Sequence, residues 1–308
     1  MKISRIAFGT AVMALMATAC TRTQPTTNSI DEAIGETTTT TGQGDSSEED
    51  LNKSKTILYT MPAPIEMASL IKETGVRFDD QLLHDLSAAN KYNTNLKMAL
   101  SLGAYATDMS VSGMFSQSQK MVDYLKTLKD ITRRLGIVQI MDENAIRKLE
   151  GTNVSKDEML NVISEVYMNT NQYLTENNRR NVATMVMAGG WVEGLYLALN
   201  LIDTNHLNKD IVERIIAQKL ALATMQNIVD SENSKGEDAD LTYISEKMQE
   251  IKAIFDYVEI AKVGRVSALT DPETKTTAIK ANTSGELNTE IVNALKQTVT
   301  NIRNEFVK

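Results

Sequence analysis

The chain has 308 residues, with 32 Lys and Arg against 40 Asp and Glu, a formal net charge of −8. That balance argues against nucleic acid and anionic headgroups as main partners, because both need a cationic face. A single cysteine excludes an internal disulfide, and 16 Met, 4 Pro and 5 % aromatic residues favour helices over a β-sandwich.

Residues 1–5 form a short basic start, 6–16 an apolar run too short to span a bilayer, and Ala17-Thr18-Ala19 a small-residue exit. This is the order of parts in a secretory signal, expected over 1–19. With Cys20 directly after it, the segment resembles the lipobox of bacterial lipoproteins, although Ala17 stands where that motif usually carries leucine. The resemblance implies that Cys20 is diacylated, becomes the new N-terminus and holds the protein on a membrane. One acyl chain gives only marginal, reversible binding, whereas the two or three implied here anchor permanently. The alternative is an ordinary cut near Ala19 that leaves a free thiol. Removing 1–19 takes away Lys2 and Arg5 and no acid, so the mature charge becomes about −10.

Residues 20–57 read as the lipidated cysteine and a tether. A threonine homopolymer covers 37–41, flanked by Gly35, Gly42 and Gly44 and then by the acidic run Ser46-Ser47-Glu48-Glu49-Asp50. Such a stretch cannot bury enough apolar surface to offset its ordering entropy. At this length a flexible chain spans roughly 35 Å, enough to carry a body clear of the headgroups.

From Pro62 onward the period is helical, and 58–308 is expected to be one helical domain. Pro62 and Pro64 suit a first helical turn, and the helix carrying Ile65, Met67, Ala68, Leu70 and Ile71 should stop at Gly75. A second short helix is expected over 79–89. Met121, Tyr124, Leu128, Ile131 and Leu135 follow 3-4 spacing and end at Gly136, a good residue for a left-handed C-terminal cap. Ser155-Lys156-Asp157-Glu158 is a capping box that opens the helix with Met159, Ile163, Val166 and Tyr173. Ile211, Ile215, Leu222, Met225 and Val229 mark another helix, and Leu241, Ile244, Met248, Ile251, Phe255 and Val258 the cleanest stripe of all. These stripes are too short and too often interrupted for a long coiled coil, so packing within the chain is expected. Around Thr270-Asp271-Pro272-Glu273 the pattern changes to a turn between two extended pieces, a small hairpin or a crossover near 263–280. A last helix carries Ile291, Leu295, Val299, Ile302 and Phe306.

Residues 182–202 contain one charge, Glu193, and are long enough to cross a bilayer, with Gly190 and Gly194 in the GxxxG spacing. Topology opposes a span. Arg179 and Arg180 would lie outside and Asp203 inside, against the positive-inside rule, and Glu193 would add about 2.5–3.5 kcal/mol. A central core helix has the same composition and is the expected reading. Its partner is sought in 95–111, where setting Asn95 against Asn181 pairs Gly103 with Gly189 and Tyr105 with Trp191. Glycine at such positions lets two helices approach closely. Gly103, Gly189, Gly190 and Gly194 are therefore the expected packing residues.

Three blocks, Pro62-Ala63-Pro64-Ile65-Glu66, Leu102-Gly103-Ala104-Tyr105-Ala106-Thr107-Asp108 and Gly189-Gly190-Trp191-Val192-Glu193-Gly194-Leu195-Tyr196, resemble recurring blocks in a group of helical lipoproteins from Bacteroidota-type bacteria. That resemblance implies fold and compartment, and no biochemical function.

The two histidines, His84 and His206, are far apart and stand in no ligand spacing; Ala88 follows the first at i+4 and Asp210 the second. No phosphate loop, dinucleotide fingerprint, nucleophile elbow or zinc-protease motif occurs, and no metal or other cofactor is expected. One constellation stands out. Asp108 and Glu193 interrupt apolar helices beside Tyr105, Trp191 and Tyr196. Two buried carboxylates with raised pKa values suit general acid–base work, or a bundle cavity holding a cationic or hydroxylated ligand. The plainer reading pairs each acid with a tyrosine, an indole N–H or an arginine such as Arg133, Arg134, Arg179 or Arg180.

These features describe an all-α, multi-helix bundle with mostly antiparallel neighbours, anchored through Cys20 and acting by binding, with an envelope protein as its partner. A carrier, or an acid–base enzyme using Asp108 and Glu193, is the alternative. Thr21 is not the aspartate that resembles an inner-membrane retention signal, so the outer membrane is expected. Thr21-Arg22-Thr23-Gln24 lacks the acidic cluster that resembles surface-export signals, which favours the periplasmic face.

Overall fold

The computed structural model describes residues 64–73, 75–137, 155–201, 209–258, 264–270, 277–282 and 289–307. The expected signal, Cys20, the tether, Pro62 and His206 lie outside them. Within them the chain is an all-α bundle of α1 (Pro64–Glu73), a 3₁₀ helix (Leu86–Lys91), α2 (Asn95–Met114), α3 (Ser118–Arg134), α4 (Lys156–Glu176), α5 (Arg180–Leu201), α6 (Lys209–Glu232), α7 (Ala239–Phe255) and α8 (Thr289–Phe306). A two-stranded antiparallel ribbon, β1 (Gly264–Thr270) with β2 (Thr277–Asn282), lies between α7 and α8 in sequence, with Ser267 opposite Lys280 and Leu269 opposite Ala278.

Local chemistry sets most helix ends. Pro64 is the first residue of α1, where its missing N–H is no loss. Thr94 caps α2 by accepting from the Lys97 N–H, and Ser155 and Glu158 form the reciprocal capping box of α4. At the end of α3 the Ile137 N–H reaches the Thr132 carbonyl and the Gly136 N–H the Arg133 carbonyl, with Gly136 at φ +72°. This paired closure needs a left-handed residue, which glycine adopts without steric cost. Ser116 and Asn178 fill the same role after α2 and α4, at φ +59° and +56°.

The helix expected over 79–89 does not form. In its place Asp85 caps the short 3₁₀ helix, accepting from both the main-chain N–H and the hydroxyl of Ser87. Short polar side chains that bond nearby main chain compete with the helical ladder, and Asp79, Asp80 and Gln81 bring no apolar face to favour it.

The apolar stripes point inward as their spacing requires. Leu241, Ile244, Met248, Ile251 and Phe255 of α7 and Leu295, Val299 and Ile302 of α8 are wholly buried. α5 is the hub, packed against α1, α2, α4, α6, α7 and α8. It alone among the described residues is long and apolar enough to cross a membrane, and 89 % of its most apolar window is buried inside the bundle. α2 and α5 make the most extensive helix–helix contact. They meet at glycine. A Cβ on Gly103 would overlap the Val186 carbonyl and come within 2.5 Å of the Gly190 nitrogen, and one on Gly189 would lie 2.7–2.8 Å from backbone carbons of Leu100. Gly190 is looser, with the Gly103 carbonyl at 3.2 Å, and Gly194 instead faces the Met67 side chain of α1.

Candidate functional site

Asp108 on α2 and Glu193 on α5 are both fully buried, and each has its own surroundings. Glu193 is met by Arg303 of α8, with Nε donating to Oε2 at 2.8 Å and Nη2 to Oε1 at 3.0 Å. This forked geometry is the strong form of a carboxylate–guanidinium pair. The Arg303 guanidinium also lies 4.7 Å from the centre of the Tyr196 ring, a cation–π contact, and its side chain is only 11 % exposed. Burial raises the Glu193 pKa while Arg303 pulls it back; burial works against the Arg303 charge, but Glu193 outweighs that and holds the proton on.

The partner of Glu193 is thus none of the four arginines expected. Arg133 pairs with Asp130, Arg134 donates to the carbonyls of Ala89 and Tyr92, and Arg179 donates to the Leu135 carbonyl. Arg303 sits between Ile302 and Phe306 and one turn after Val299, all buried, so its stem shares their side of α8. That placement was the available signal.

Asp108 is held differently. Its Oδ2 accepts the main-chain N–H of His84 at 2.8 Å, and its Oδ1 has no partner in the structure. Burial first, and the Glu193 charge second, push its carboxyl well above the ordinary range. It is bonded to no tyrosine, indole or arginine, contrary to expectation; the donor is backbone from the 79–92 segment.

His84, discounted as a metal ligand from its spacing, is a centre of this assembly. Beyond its N–H, its carbonyl accepts from the Tyr124 hydroxyl at 2.9 Å, and its ring stacks on Tyr105 at 4.7 Å between centres. Its Nε2 lies 2.5 Å from the Tyr92 hydroxyl, which donates its own proton to the Val307 carbonyl at 2.8 Å. The Tyr92 oxygen therefore accepts, which assigns the imidazole proton to Nε2. Burial, reinforced by Arg303, lowers the His84 pKa to about 3, so the ring is neutral.

Of the residues singled out beforehand, Tyr105, Asp108, Glu193 and Tyr196 belong to this assembly. Tyr105 donates to the Asp85 carbonyl at 2.7 Å. Trp191 does not belong to it: its indole N–H is directed at Gln218 of α6, 3.1 Å away. No group of three or more metal-ligating side chains occurs among the described residues.

Comparison with family models, with curated proteins and with solved structures finds no match.

Proposed function

We propose that this chain is a lipid-anchored helical protein of the bacterial envelope that acts by binding a protein partner. The reading places it on the periplasmic face of the outer membrane, held through Cys20 by a tether over 20–57. Its compartment rests on the signal-like segment 1–19 and on the residues that follow Cys20. Its mode of action rests on one observation: the two carboxylates suited to acid–base chemistry are fully buried, and one of them is neutralised by Arg303. A catalytic acid must come within hydrogen-bond reach of a substrate; Arg303 takes both oxygens of Glu193, and the His84 N–H takes one oxygen of Asp108. The second reading, a small-molecule carrier, draws on the unpartnered Oδ1 of Asp108.

Fractionation tests the anchoring. Wild-type protein should stay with membranes through a high-salt wash and leave with detergent, while Cys20→Ala protein should be recovered soluble and folded. Membrane retention of the Cys20→Ala protein would overturn the lipid anchor and make α5 the candidate span.

A further inference from the structure

Residues 79–93 lie across α2 and α3 in an unusual way for a connecting loop. Only His84, Ala89 and Tyr92 are buried among them, with exposed or half-buried residues between. The segment is fastened mainly through its backbone. Asp108 of α2 takes the His84 N–H, Tyr124 of α3 the His84 carbonyl, Tyr105 of α2 the Asp85 carbonyl, and Arg134 of α3 the Ala89 and Tyr92 carbonyls. Four helix side chains thus address five main-chain atoms, one acceptor facing an N–H and donors facing the carbonyls. Main-chain bonds for affinity with separate pockets for spaced side chains is the arrangement by which proteins hold a bound peptide. Here the segment's own His84, stacked on Tyr105, its Ala89 and its Tyr92, whose hydroxyl donates to the Val307 carbonyl just past α8, fill those pockets.

We infer that the α2–α3 face is a peptide-recognition groove occupied in cis by residues 79–93, and that its external ligand is a segment of a partner protein that takes the same 3₁₀ turn and carries the same anchor pattern. The pattern is an aromatic or imidazole ring, four residues, a small residue, two residues and a second aromatic ring. This inference rests on the binding reading above and supplies its surface. The bonds to the backbone do not depend on which side chains the peptide carries, so the anchors select the partner. The Oδ1 of Asp108, buried and without a partner under the strap, is a hydrogen-bonding position left over for a polar group of a ligand that the strap does not supply. Held in cis, the strap competes at the millimolar effective concentration typical of a short connection, so an external peptide must displace it.

The test uses the full chain and a fluorescent synthetic peptide of residues 79–93. His84→Ala and Tyr92→Ala weaken the strap at different anchors and leave the groove residues intact. Each variant should bind the peptide at least tenfold more tightly than wild-type protein, and adding Tyr124→Phe to either should reverse most of that gain. Peptide carrying the His84→Ala change should bind less well. Equal binding by wild type and variants, or none by variants that keep their helical circular dichroism, overturns the groove. Hydrogen exchange on wild-type protein decides the matter if both variants unfold. The amides of 79–93 should exchange at least tenfold faster than those of α2 and α5, and exchange only with the whole core would show that the strap is an inseparable part of it. Neither outcome bears on the Cys20 fractionation, so the two readings fail separately.

Discussion

The two buried acids look alike in sequence, yet their surroundings predict opposite responses to the same substitution. Glu193→Gln leaves Arg303 buried without its counter-charge, and a loss of about 3–5 kcal/mol is expected in urea melts. Asp108→Asn keeps an oxygen for the His84 N–H and replaces a group whose ionisation burial and Glu193 already oppose, so a change of less than about 1 kcal/mol is expected. Stabilisation by both amides would instead mark the acids as ligand-facing. His84 gives a pH test. Its folded pKa of about 3 lies below the ordinary imidazole value of 6.5, so the unfolded chain binds the proton first. Its contribution is fully present above about pH 6.5 and fades as pH falls toward 3, by up to about 1.4 kcal/mol per unit. Asp108 works in the opposite sense, since its raised pKa lets the folded form keep a proton that the unfolded chain releases as pH rises. Stability measured from pH 7 to 4 should fall less steeply in His84→Gln than in wild type. An unchanged slope would remove His84 as a titrating group. At this scale Asp108 and Glu193 were legible because charges stand out in apolar helices. His84 and Arg303 were not, because their roles come from partners distant in sequence.

Among elements, caps and stripes were the legible part. The Ser155 capping box, the Gly136 closure and the α7 stripe depend on residues within a few positions of one another, and the structure has each of them. The helix expected over 79–89 is absent because the backbone there is fixed by side chains of α2 and α3, which no local spacing reveals. The glycine crossing of α2 and α5 yields a graded prediction. Gly103→Ala and Gly189→Ala should each cost about 1–3 kcal/mol or more in thermal melts, because the new methyl meets backbone that cannot rotate away. Gly190→Ala should cost less than half as much. Its nearest contacts are 3.2–3.3 Å away, and alanine regains about 1 kcal/mol of helix propensity. Equal costs at all three positions would mean that the helices do not meet there as described.

For the whole molecule, composition was enough to indicate an all-α bundle, and low charge over 182–202 enough to indicate its central helix. Which distant helix would answer Glu193 depends on how every element packs, and no local spacing carries that information. The answer comes from α8. The Glu193–Arg303 pair spans 110 positions and the Tyr92–Val307 bond 215. Contacts of such separation close late, after local helices have formed and the loop entropy can be offset by a nearly finished core. Until then Glu193 is a charge entering an apolar interior without its counter-charge, and the end of the 79–92 segment lacks the carbonyl that receives Tyr92. A chain still being made therefore stays open to chaperones and proteases until residues 303–307 arrive, and one that stops short of them never acquires its seal.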